Sequence, residues 1–87
     1  MLIRDQIEER LQAAFTPSRL EVVDDSESHR GHAGWREGGQ THFNVLIRAA
    51  QFHEMSRIAR HRAVHQALGA DLVGRIHALA LDIGADS

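Results

Sequence analysis

The segment THFNVLIR, Thr41 to Arg48, alternates without a break: Phe43, Val45 and Ile47 fall on one face, and His42, Asn44 and Arg48 on the other. Successive side chains of a strand project to opposite faces, so this reads as a strand with one covered face. The chain must supply an apolar layer to cover it. Ile3, Ile7, Leu11 and Phe15 recur every fourth residue among Arg4, Glu8, Glu9, Arg10 and Gln12, which predicts an amphipathic helix stopped by Pro17. RLEVVDD, Arg19 to Asp25, is β-branched at its centre and predicts a strand. From Ser56, a suitable N-cap, a second helix is expected with Ile58, Val64, Leu68 and Leu72 on its buried side. Gly69 and Gly74 punctuate its end as a kink and then a stop. IHALALDI, Ile76 to Ile83, has the length and alternation of a last strand, although its alanines and leucines also favour helix.

The 87 residues form one domain with room for a single sheet and a single helical layer; a chain this short buries about 60–65% of its extended surface. The element order, helix, strand, strand, helix or helices, strand, predicts an α/β (α+β) fold with a three-stranded mixed sheet and its helices on one face. The first two strands pair antiparallel, and the third, reached through a helical crossover, lies parallel to its neighbour. The domain is expected to span 1–87, with a loop over 26–40 and a short flexible tail over 84–87.

There is no cysteine, which excludes disulfides, a thiol nucleophile and any metal or cluster site built on this chain's own thiolates. Twelve acids against ten bases leave a formal charge of −2, and 7 histidines make that charge sensitive to pH near neutrality. The N-terminal stretch mixes acids with its arginines, unlike a transit peptide, and lacks the apolar run of a signal peptide or membrane span. A cytoplasmic protein, present in full and without membrane contact, is therefore expected.

The connection SESHRGHAGWREGGQTHF, Ser26 to Phe43, gathers three histidines, four glycines and the only tryptophan. A loop of this length without its own periodicity is either functional or disordered. Its Gly31-His32-Ala33-Gly34 is literally GxxG, the nucleic-acid clamp of KH domains. That clamp joins two helices, whereas this loop joins two strands. His61 and His65 have metal-ligand spacing on a helix, but Arg62 stands where a zinc protease needs glutamate, and packing at the sheet or helix boundary is the better account. Arg57, Arg60, Arg62 and Arg75 could contact phosphates. The overall acidity gives no broad positive field. Trp35 is a candidate interface anchor.

Taken in order, VVDDS, SHRGHAG, THFNVLI, FHEMSRIARHRAV and IHALAL make the chain resemble the BolA family from the first helix to about Leu81. The resemblance implies a fold like a type II KH domain. It implies a non-enzymatic partner of a monothiol glutaredoxin that co-ligates a bridging 2Fe-2S cluster in iron-sulfur or iron metabolism. In such pairs the glutaredoxin and glutathione supply thiolates. Carried over by motif, His77 of the HAL segment is the first candidate ligand and His32 of the loop the second, with His29 as the alternative. Imidazole in place of thiolate on one iron raises the potential of a 2Fe-2S centre. Where many members carry glycine after the second strand, this chain has Phe52, His53 and Glu54, and a turn requiring positive φ there would strain Glu54. The family also contains transcription regulators, so the alternative is a DNA-binding regulator using Arg57, Arg60, His61, Arg62 and Arg75; a homodimer is also compatible with the sequence.

Overall fold

The computed structural model describes residues 2–26 and 41–86. Helix α1, Ile3–Phe15, buries Ile7 and Leu11 and ends where Thr16 turns left-handed at φ 44°. Its Thr16 N–H donates to the Gln12 carbonyl at 3.0 Å, and Pro17 then carries the chain away from the helix axis. Strands β1, Arg19–Asp24, β2, His42–Arg48, and β3, Ala78–Gly84, follow in that order across one sheet. β1 pairs antiparallel with β2 and β3 pairs parallel with it, as the alternation and the helical crossover predict. The crossover holds a 3-10 helix, Ala50–Glu54, then α2, Arg57–Leu68, and a single turn α3, Ala70–Val73. Ser56 caps α2 by accepting the Ala59 N–H at 3.1 Å. No helix among the described residues is long and apolar enough to cross a membrane.

The register brings Val22, Val45 and Leu81 into one row across the three strands, with Phe43 beside Leu79 and Ile47 beside Ile83. These side chains meet Ile7 and Leu11 of α1, Val64 and Leu68 of α2, Leu72 of α3 and Phe52 of the 3-10 helix in one core. Phe15 and Phe52 close its end, ring centroids 5.0 Å apart. The helices therefore cover one face of the sheet. The other face includes Val23, Asn44 and Ala80 side by side, all exposed.

Four expectations need correction. Ile58 is not on the buried stripe but 65% exposed; at about 100° per residue it lies some 120° around the helix from Val64. The last strand starts at Ala78 rather than Ile76, so His77 stands in the bend before it. It also runs to Gly84, one residue into the expected tail, because the Gly84 carbonyl accepts the Ala49 N–H at 3.2 Å. Past the strand, Asp86 meets His53 Nε2 at 3.2 Å. Glu54 is not strained, since it closes the 3-10 helix and the described non-glycine residue with positive φ is Thr16.

The break between α2 and α3 depends on Gly69, at φ 86° and ψ 145°, a region essentially reserved for glycine. A Cβ there would lie 2.8 Å from Asp71 Oδ1 and 3.2 Å from Arg10 Nη1. Arg10 reaches from α1 to donate to the Leu68 carbonyl and to Asp71 Oδ1. Its guanidinium holds the Asp71 carboxyl below the usual carboxylate range. Gly69→Ala should destabilise the protein by about 1–3 kcal/mol, from backbone strain together with displacement of the Arg10 contact. Urea unfolding should show a lower midpoint with an unchanged slope.

Candidate functional site at the N-terminal end of β3

β1 and β2 do not simply end at the long loop; their ends are hydrogen-bonded together. The buried Ser26 hydroxyl accepts the backbone N–H of Thr41 at 3.0 Å and that of His42 at 3.2 Å, and donates to Asp24 Oδ1. The Ser26 N–H donates to the same carboxylate oxygen at 3.0 Å, and the Asp25 N–H donates to the His42 carbonyl at 2.7 Å. One hydroxyl thus accepts from two successive backbone donors at the start of β2. This matters because a buried donor without an acceptor costs about 1–3 kcal/mol.

The same closure holds His77. The Thr41 carbonyl accepts the N–H of His77 at 2.9 Å and that of Ala78 at 3.1 Å, so the bend before β3 is fixed against the start of β2. The His77 side chain is exposed. Its ring lies 5.2 Å from that of His42, tilted by 55°. His42 is only 4% exposed, although strand alternation puts it on the face away from the helices. Its Nδ1 is 2.8 Å from the Thr41 hydroxyl, itself buried. Ser26, Thr41 and His42 form a support for His77 that spacing alone does not disclose. The signal that could have found it is the pair of hydroxyl residues flanking the loop, just after VVDD and just before HF.

The loop candidates His29, His32 and Trp35 lie outside the described residues, as does the GHAG segment. Among the described residues no three of the His, Asp and Glu side chains converge as a metal-holding group.

The arginines do not act as one patch. Arg60 Nε donates to the Phe52 carbonyl at 2.9 Å, tying α2 to the 3-10 helix. Arg75 donates to Gln6 Oε1 at 3.1 Å, tying the chain before β3 to α1. Arg57 and Arg62 are exposed and line an open groove on the outer face of α2 with Ile58, His61 and His65. The expected packing at the sheet or helix boundary holds for His61, half-buried and facing Leu81, Asp82 and Ile83 of β3, and fails for the exposed His65. His61 Nδ1 is 3.0 Å from the Arg57 carbonyl, and since a carbonyl only accepts, that nitrogen carries the proton.

A three-stranded mixed sheet, helices on one face and an exposed imidazole where β3 begins define a small α+β module with its candidate chemistry at one end of the sheet. A family model for BolA-like proteins matches residues 11–87, and the chain belongs to that family. It is 42% identical over 81 residues to the DNA-binding transcriptional regulator BolA of Escherichia coli, covering 93% of this chain and 73% of that one. Among solved structures it is similar to BolA1 from Arabidopsis thaliana, with a TM-score of 0.79 at 29% identity, covering 98% of this chain and 93% of that one. The BolA domain of SufE1 from Arabidopsis thaliana gives the same TM-score at 34% identity, with coverages of 94% and 90%.

Ser26→Ala would leave the Thr41 and His42 amides without their acceptor. It should cost about 1–3 kcal/mol in thermal or urea unfolding. Hydrogen exchange at those two amides should accelerate more than in the middle of β2.

Proposed function

We propose that this chain partners a monothiol glutaredoxin and supplies one imidazole ligand to a 2Fe-2S cluster bridging the two proteins, in cluster trafficking or iron regulation in the cytoplasm. The observation that carries this reading is His77: an exposed imidazole on a backbone pinned by the Thr41 carbonyl. The donor set suits a shared cluster better than a self-contained one. The chain has no cysteine, and among the described residues no three potential ligands converge. A cluster at His77 would take its thiolates from the glutaredoxin and glutathione. His32, or His29, would be a second ligand from a loop whose two ends, Ser26 and Thr41, are anchored beside His77. When bound, such a cluster supplies one-electron chemistry at a potential raised by the imidazole. His77 itself would orient and hold the partner-borne iron.

A second reading is favoured by several relatives that are named DNA-binding transcriptional regulators. Its support in the structure is α2, whose sequence RIARHRAVHQAL contains no acid. Among the described residues the side chains of Arg57 and Arg62, on its outer face, make no hydrogen bond or ion pair. Arg60, between them in that helix, is engaged with the Phe52 carbonyl.

Anaerobic reconstitution with a monothiol glutaredoxin, glutathione, iron and sulfide should give a visible circular dichroism spectrum distinct from that of the glutaredoxin alone. His77→Ala should abolish that difference, and His32→Ala should alter it. A spectrum identical to that of the glutaredoxin alone would sink the cluster reading. For the DNA reading, replacing Arg57 and Arg62 with alanine should weaken binding uniformly across sequences and lower the salt slope by roughly one per residue. His77→Ala should leave DNA binding untouched, and unaltered binding in the double arginine variant would remove α2 as the contact.

A further inference from the structure

We infer that His42 is a positioning residue for His77: its buried ring is a fixed surface that restricts the His77 imidazole to one outward orientation before a partner arrives. This rests on the reading of His77 as a cluster ligand, and assigns the preparation of that ligand to a residue outside the ligand set. His42 is held both at its backbone and at its ring. Its N–H donates to Ser26 Oγ at 3.2 Å, its carbonyl accepts the Asp25 N–H at 2.7 Å, and its Nδ1 lies 2.8 Å from Thr41 Oγ1. The ring is thereby set in the plane as well as in place, which an aliphatic side chain could not achieve. His77 has the opposite character. Its backbone is held by Thr41, but its side chain is exposed, and exposed side chains exchange rotamers on the ps–ns timescale. At 5.2 Å and 55° the two rings lie within the range of tilted aromatic pairs. That contact removes rotamers that would swing the imidazole across the end of β2. A ligand ordered beforehand loses less freedom on binding, and groups that orient ligands tune the metal they hold.

Nuclear magnetic resonance of the free protein tests the orientation without any cluster. In the wild type His77 should show ring-to-ring contacts with His42 and two unequal Hα–Hβ couplings, the mark of a single χ1 rotamer. His42→Leu should remove the contacts and bring the couplings to a common averaged value, while His42→Phe, which restores a ring, should keep them unequal. Thr41→Val removes the hydroxyl that orients His42 and should partly average them, so it carries the test if His42→Leu fails to fold. In the reconstituted complex, His42→Leu should shift the visible circular dichroism and speed cluster loss several-fold, with His42→Phe close to wild type. Unequal couplings in a natively folded His42→Leu, or in Thr41→Val when it stands in, would overturn the inference, as would averaging as complete in His42→Phe as in His42→Leu. Restricted couplings in a wild type that forms no heteromeric cluster would instead refute the cluster reading and leave the ring contact standing.

Discussion

β2 is bonded on both edges, and the rest of the molecule takes its register from that strand. Antiparallel pairing to β1 and parallel pairing to β3 put Val22, Val45 and Leu81 in one row against the helices. A slip of one residue would turn Phe43, Val45 and Ile47 outward and bring Asn44 and Arg48 in, so the burial of three large side chains locks both neighbours at once. The lock is reinforced at both ends. Arg48 donates to the Asp82 carbonyl and carboxylate, both at 3.0 Å, and Thr41 holds the beginning of β3. His77 is placed accurately because it sits one residue outside a register that cannot shift.

Much of this could be read from residue order. The alternation of Thr41 to Arg48, the four-residue spacing from Ile3 to Phe15 and the Ser56 cap are local patterns, and each gave the right element. The mixed sheet followed from the crossover length. What escaped the sequence was tertiary. Ile58 looked like a core residue because apolar residues were sparse in α2, yet its angular position excludes it from the stripe. His42 looked solvated by alternation and is buried at the end of its strand against His77. The 3-10 helix has no periodicity of its own; it is held by Phe52 entering the core and by the Arg60 contact to the Phe52 carbonyl. His77 was found through its motif, whereas its supports, Ser26, Thr41 and His42, are meaningful only once residues 15 or more positions apart are brought together.

The two candidate surfaces are separated along β3. The start of α2 approaches the strand around Leu81, Asp82 and Ile83, where Arg57, Arg60 and His61 face it across a shallow recess. His77 stands at the opposite end, four to six residues away, or about 13–20 Å along an extended strand. A small ligand would engage one end or the other, and a folded partner could span both. The chemistry differs accordingly: α2 offers permanent positive charge on exposed side chains, while the His77 end offers an exposed imidazole beside backbone groups bonded to Thr41.

The Ser26 clasp also bears on how a family of such domains can diversify. One hydroxyl ties the end of β1 to the start of β2 through Ser26, Thr41 and His42, so the register of the sheet is fixed by residues that flank 27–40. A change of sequence between Ser26 and Thr41 leaves the donors and acceptors of this clasp, and the Thr41 carbonyl that holds His77, in the chain. The sheet end is then a frame that closes on its own bonds, whatever sequence joins its two sides.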